Sequence, residues 1–258
     1  MLKIRVIPCL QLIDQSLVKT VQFGKYRYIG DPINTVRIFN ELEVDELCFL
    51  DIRATIQKRY PNLKILSEIA NECFMPLSYG GGVKDADTAK KILAIGFEKI
   101  ILNSGAVERP ALISDIARHS GNQSVILSID VKKTVFGNYS VYSHDGTIKT
   151  RLNPVEWAKT AESAGAGELL VTSIDRDGTW KGFDLDIVKQ ICDNVSIPVI
   201  ANGGAGSTED IAKVVHAANA SAVALGSLVV YQQKGMGVLV NFPDKLKLEQ
   251  MLNNCNRN

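Results

Sequence analysis

Short apolar runs rich in β-branched residues alternate along this chain with longer segments of helical period. The runs lie at 4–10, 46–51, 76–80, 98–103, 124–130, 167–172, 197–201 and 221–226. Most are continuous rather than alternating, as in strands covered by protein on both faces. Between them, 32–43, 60–73, 85–95, 108–119, 154–164, 184–194, 207–218 and 244–253 read as amphipathic helices. Asp31-Pro32 and Asn153-Pro154 each place a cap residue before a proline at the first helical position. Ser207-Thr208-Glu209-Asp210 puts acids into a first turn. Eight strand–helix pairs predict an α/β protein of the (βα)8 barrel type rather than an open doubly wound sheet. Residues 11–31 read as a long loop after the first strand, and 134–150 as a hairpin turning at His144-Asp145-Gly146.

The pattern also repeats at an offset of roughly 120 residues. Asp45-Glu46-Leu47 meets Gly167-Glu168-Leu169, and Tyr79-Gly80-Gly81-Gly82 meets Ala201-Asn202-Gly203-Gly204. Ile101-Leu102-Asn103-Ser104 meets Ala224-Leu225-Gly226-Ser227, and Val6–Gln11 meets Val125–Asp130. One barrel domain over 1–258 is expected, built from half-barrels of about 1–120 and 121–258.

A barrel of this type carries its site where the strands end. There, Gly81, Gly82, Asn103 and Ser104 in one half, and Gly203, Gly204, Gly226 and Ser227 in the other, offer unobstructed backbone N–H groups. Such groups cradle phosphate, and two symmetric clusters fit a ligand phosphorylated at both ends; glycines there also simply make tight turns. Gln11, Asp51, Asn103, Asp130, Thr172 and Asn202 are the polar residues ending strands. Asp130, followed by Val131-Lys132-Lys133, fits a general acid or base beside cations, or a turn former. The Asp175–Thr179 stretch, with Asp177 and Gly178, suits either substrate hydrogen bonds or an Asx turn. At the opposite strand ends, Arg5, Glu46, Lys99 and Glu168 are either solvated charge or a closed ionic ring.

Composition narrows this picture. With 46% hydrophobic and 22% charged residues the chain is globular, and a net charge of +1 gives no reason to expect nucleic acid or a membrane surface. Cys9, Cys48, Cys73, Cys192 and Cys255 are odd in number and lack C-x-x-C spacing, so reduced thiols and a cytoplasmic location are expected. No signal segment stands out, no apolar stretch reaches the ~18 residues of a membrane span, and no residue set calls for a metal or cofactor.

Taken with Ile7-Pro8-Cys9-Leu10, Val18-Lys19, Gly30-Asp31-Pro32, Phe49-Leu50-Asp51-Ile52, Ser128-Ile129-Asp130, Thr172–Thr179 and Gly203-Gly204-Ala205-Gly206, these motifs resemble one family along almost the whole chain. It is the cyclase subunit of imidazole glycerol phosphate synthase, an enzyme of histidine biosynthesis. The resemblance implies a glutaminase partner docked on the N-terminal barrel face. Ammonia would rise through a gate matched by Arg5, Glu46, Lys99 and Glu168 toward a bisphosphorylated ligand. It also implies two catalytic aspartates, and a catalytic role for Lys19. Asp130 matches the second aspartate; Gln11 occupies the position of the first, and an amide cannot exchange a proton near neutrality.

Thr20 in place of a glycine, Asn202 in place of a serine, and the tail 231–243 depart from the pattern too. These departures resemble a branch serving surface-polysaccharide synthesis, in which a third, ATP-dependent sugar amidotransferase uses the ammonia to make acetamidino sugars. The alternatives are the histidine-pathway cyclase itself, a conduit that only activates a glutaminase, and the related sugar-phosphate isomerase barrel.

Overall fold

The computed structural model describes residues 4–254; Cys255 lies outside them. The elements run β1 (Arg5–Ile13), β2 (Ser16–Thr20), β3 (Tyr26–Gly30), α1 (Pro32–Glu41), β4 (Leu47–Asp51), α2 (Leu63–Glu72), β5 (Leu77–Gly80), α3 (Ala86–Ile95), β6 (Lys99–Leu102), α4 (Ser104–Glu108) and α5 (Ala111–Ser120). They continue with β7 (Val125–Lys133), β8 (Tyr139–Ser143), β9 (Ile148–Lys149), α6 (Pro154–Ser163), β10 (Glu168–Ser173), α7 (Leu185–Cys192), β11 (Val199–Asn202), α8 (Thr208–Ala218), β12 (Ala222–Leu225), α9 (Ser227–Val230) and α10 (Lys245–Asn254).

Eight parallel strands pair in the order β1, β4, β5, β6, β7, β10, β11, β12, and the β12–β1 pairing closes the barrel. Helices return the chain between successive strands, as a parallel connection requires. The expected caps form: Asp31 accepts from the Asn34 N–H at 2.8 Å, Asn153 from Val155 and Glu156 at 2.9 and 3.2 Å, and Ser207 from Asp210 at 3.3 Å.

Alternation along each strand divides the apolar residues into two cores. Val6, Leu10, Leu127, Leu169 and Val223 face outward into the layer between sheet and helices. Ile7, Cys9, Cys48, Ile101, Ile126, Leu170, Ile200, Ala222 and Ala224 face inward and fill the lumen. The continuous runs of the sequence are therefore two interleaved apolar faces.

Two expectations need correction. Residues 11–31 are not a loop: β1 continues to Ile13, turns at Asp14 in the left-handed region (φ 55°), and pairs antiparallel with β2, which pairs with β3. The second concerns 134–150, which holds only part of a longer ribbon. β7 runs on to Lys133 and pairs with β8, and β8 pairs with β9. The His144-Asp145-Gly146 turn is real, with φ of 53°, 55° and 72°, but it closes the outer of two hairpins. The short helices α4 and α9, four or five residues each, are below the length at which helical period shows in a sequence.

Candidate active site

Above the lumen, where the barrel strands end, lies a cavity partly open to solvent. Gln11, Lys19, Asp51, Gly81, Gly82, Asn103, Ser104, Asp130, Thr172, Asp177, Asn202 and Gly226 all line it. Gly178, Gly203, Gly204 and Ser227 are not on its wall, although the last three are buried beside it. The tight-turn reading of the glycines holds in both halves. A Cβ on Gly81 would stand 2.5 Å from the Asp51 carbonyl oxygen, and one on Gly203 2.8 Å from that of Ser173. The first pair alone is also on the cavity wall.

Gln11 comes up from the lumen side of β1 and meets Thr20 on the neighbouring β2. Its Oε1 accepts from the Thr20 N–H at 2.9 Å, and its Nε2 donates to the Thr20 hydroxyl at 3.1 Å. The Thr20 hydroxyl in turn reaches Asp177 at 3.2 Å. Lys19 donates to the other Asp177 oxygen at 2.8 Å and to the Thr20 carbonyl at 2.7 Å, fully buried. The two departures noted separately in the sequence, Gln11 and Thr20, are thus partners in one network. A glycine at 20 could supply the backbone contact but no hydroxyl.

Four carboxylates line the cavity, and their surroundings differ. Asp51 is held by Arg59 at 2.7 and 2.8 Å and accepts from the N–H groups of Arg53 and Ala54, so it braces its loop as a turn former. Asp177 is neutralised by Lys19. Among the described residues the one ion pair of Asp145 is with Arg53, at 3.8 Å. Asp130 has no cation partner among the described residues: it accepts from Ser128 at 3.0 Å and Asn103 at 3.1 Å. The expectation of a carboxylate beside cations is corrected here, because Lys132 and Lys133 are exposed. Burial above all, then the charges of Asp145 and Asp177, push Asp130 up to about 7 against the hydrogen bonds it accepts. Burial likewise raises Asp145 to about 6, with Arg53 opposing. Asp145 was legible only as a turn residue; no sequence signal points its side chain into the cavity. The Asp175 side chain accepts from the Lys133 N–H at 2.8 Å and so serves the loop.

At the floor, Arg5 reaches Glu46 at 2.6 Å and Glu168 at 3.1 Å, and Lys99 reaches the same two at 3.2 and 3.0 Å. Two cations and two anions alternate in a closed ring, the second of the two readings of these residues. Burial opposes the Arg5 charge, but the two glutamates more than offset it and hold its guanidinium above the ordinary value. Above the ring stand the apolar lumen residues, including Cys9 and Cys48 with sulfurs 3.7 Å apart. Ring, lumen and cavity are stacked along one axis. Such a stack opposes a charged solute through its apolar middle and opposes a small neutral one far less.

Comparison with known proteins places this architecture. The profile of the family described as "Histidine biosynthesis protein" matches residues 5–235. A Pseudomonas aeruginosa protein provisionally named imidazole glycerol phosphate synthase subunit hisF2 is 49% identical over 96% of this chain and 99% of its own length. A Leptospira interrogans protein provisionally named as the HisF subunit is 46% identical over 95% and 97%. The imidazole glycerol phosphate synthase subunit HisF of Alkaliphilus metalliredigens is 42% identical over 89% and 91%.

The network and the raised carboxylate each yield a measurement. A double-mutant cycle with Gln11→Ala and Thr20→Val, followed by urea unfolding, should give a coupling of about 0.5–1 kcal/mol. Additive effects would show that the two side chains do not support each other. For Asp130, the folded pKa lies above the ordinary carboxylate value. The folded state therefore holds an extra proton between about pH 4 and 7, and stability falls as pH rises through that window. Asp130→Asn should match the parent near pH 4 and exceed it in urea midpoint above pH 7. A difference independent of pH would contradict this assignment.

Proposed function

Because this chain belongs to the histidine biosynthesis protein family, as a HisF-type member, we propose that it receives ammonia from a glutaminase subunit and channels it upward to serve acetamidino-sugar formation. The glutaminase docks below the Arg5–Glu46–Lys99–Glu168 ring. Ammonia enters there as the neutral molecule, crosses the lumen past Ile7, Cys9 and Ile126, and emerges in the cavity. An ATP-dependent sugar amidotransferase takes it up, as expected for synthesis of an O-antigen type surface polysaccharide.

One observation carries the choice of acceptor: Gln11 is fixed by Thr20 beneath the cavity while the floor ring below it is complete. Ring closure of a ribulosyl aminoimidazole needs two proton-exchanging groups, and losing one costs about 10²–10⁴-fold. Delivery of ammonia needs neither. The numbered names hisF2 and hisF3 among the relatives, the latter in Vibrio vulnificus at 42% identity, fit a branch beside the histidine pathway's own subunit.

Asp130 favours a second reading, the histidine-pathway cyclase, since it is half-buried, has no cation partner among the described residues and is pushed up to about 7. On that reading Gly82, Asn103 and Ser104 hold one phosphate, and the Gly203-Gly204 and Gly226-Ser227 backbones, with Thr172, Gly178 and Asn202 nearby, the other. A third reading, a conduit that only stimulates the glutaminase, has no observation of its own.

The test uses the chain with its glutaminase and the sugar enzyme, comparing product made from glutamine with product made from ammonium chloride. The proposal expects glutamine-driven product only when this chain is present. Arg5→Ala leaves Glu46 and Glu168 to share Lys99, an uncompensated charge at the floor that draws in water and ammonium. It should lower product per glutamine hydrolysed several-fold while ammonium-driven product is unchanged. Unchanged coupling would remove the ring from the ammonia route.

A further inference from the structure

We propose that the tip of the β7–β8 hairpin, Val135 and Phe136, docks the ammonia-consuming protein on the mouth of the barrel. This rests on the reading that ammonia leaves by that mouth. The two residues are adjacent and stand 95% and 89% exposed. Single apolar residues on a surface need no explanation, but a Val-Phe pair at the projecting end of a ribbon buries nothing for the fold itself. The hydrogen bond from Thr134 N–H to the Asn138 carbonyl, 2.7 Å, closes the turn and sets the pair at its apex.

Charge indicates what covers it. The segment 132–151 carries Lys132, Lys133, Lys149 and Arg151 against a single acid, Asp145. That acid lines the cavity instead of screening the ribbon. Lys133 comes no nearer than 3.8 Å to Asp186, and its ammonium lies over the Tyr139 ring. Lys132, Lys149 and Arg151, all exposed, form no ion pair with a described residue. With Lys132 and Lys133 at its base, the apolar tip complements a protein surface with an apolar recess flanked by aspartate or glutamate.

Position selects protein over the other surfaces such a ribbon attracts. The ribbon is continuous with the cavity wall: Asp130 lies on the same β7 strand as Lys132 and Lys133, and Asp145 at the β8–β9 turn. Whatever grips the tip therefore also lies beside the mouth, where a protein shields emerging ammonia from water. A bilayer or a nucleic acid has no use for it.

The test is the double variant Val135→Ser/Phe136→Ser, in the complex of this chain, its glutaminase and the ATP-dependent sugar amidotransferase. Both positions are exposed and outside the cavity, so folding and stimulation of the glutaminase should match the parent. The expected result is at least about tenfold weaker binding of the amidotransferase. Glutamine-driven product should be lost, and ammonium-driven product retained. Binding by the parent should weaken as salt rises. If the parent couples glutamine to product and the variant does so equally, the docking site is wrong while the ammonia route stands. If the parent itself neither binds nor feeds the amidotransferase, the underlying reading fails, and the docking proposal with it. Sedimentation of the parent, but not the variant, with phosphatidylserine–phosphatidylcholine vesicles, without amidotransferase binding, would overturn the proposal in favour of a membrane contact.

Discussion

Closing eight parallel strands into a barrel forces every second residue of each strand onto one axis, and the proposed function depends on that constraint. On β1 the inward positions are Arg5, Ile7, Cys9 and Gln11: a charge in the floor ring, two apolar lumen residues, and an amide under the cavity. β10 repeats the order with Glu168, Leu170 and Thr172, and β6 with Lys99 and Ile101, followed by Asn103 just past its end. Charged, apolar and polar layers follow from register alone. A one-residue slip in β1, β6 or β10 would turn its floor charge into the helix layer and its outward aliphatic residues into the lumen.

Within that stack the polar side chains of the upper layer are joined to one another. Gln11 does not stand open to the cavity on its own, since Thr20 supplies both the N–H and the hydroxyl that occupy its amide. The same hydroxyl and Lys19 converge on Asp177, so the one lysine lining the cavity is already neutralised. Among the described residues Asp130 has no cation partner, and burial above all pushes it up to about 7. The site thus holds two carboxylates raised toward neutrality, Asp130 and Asp145, and beside them a hydrogen-bonded Gln11–Thr20 pair that exchanges no proton.

Much of this was legible in the sequence, for identifiable reasons. Continuous apolar runs and capped helices point to the barrel because a buried parallel strand has no polar face to spare. The half-barrel repeat sets Gln11 against Asp130, since equivalent strand ends carry an amide in one half and a carboxylate in the other. The extension 11–31 escaped because Asp14-Gln15 makes a turn without glycine or proline, and the strands it joins pair with each other at the rim. The Gln11–Thr20 contact escaped because it crosses between neighbouring strands, and spacing of nine residues carries no sign of pairing. Asp145 escaped because an aspartate in a turn reads as a turn former wherever its side chain points. The shift on Asp130 is set by burial, whereas the sequence offered the neighbouring lysines.

The central claim is that Gln11 and Thr20 together stop this barrel from closing an imidazole ring without stopping ammonia from passing. It is tested most directly by supplying the purified chain with ammonium and the bisphosphorylated ribulosyl aminoimidazole, and following imidazole glycerol phosphate. The parent should form product only at background rate, and Gln11→Asp/Thr20→Gly should raise that rate, restoring a carboxylate with room to act. Near-normal turnover by the parent would contradict the account.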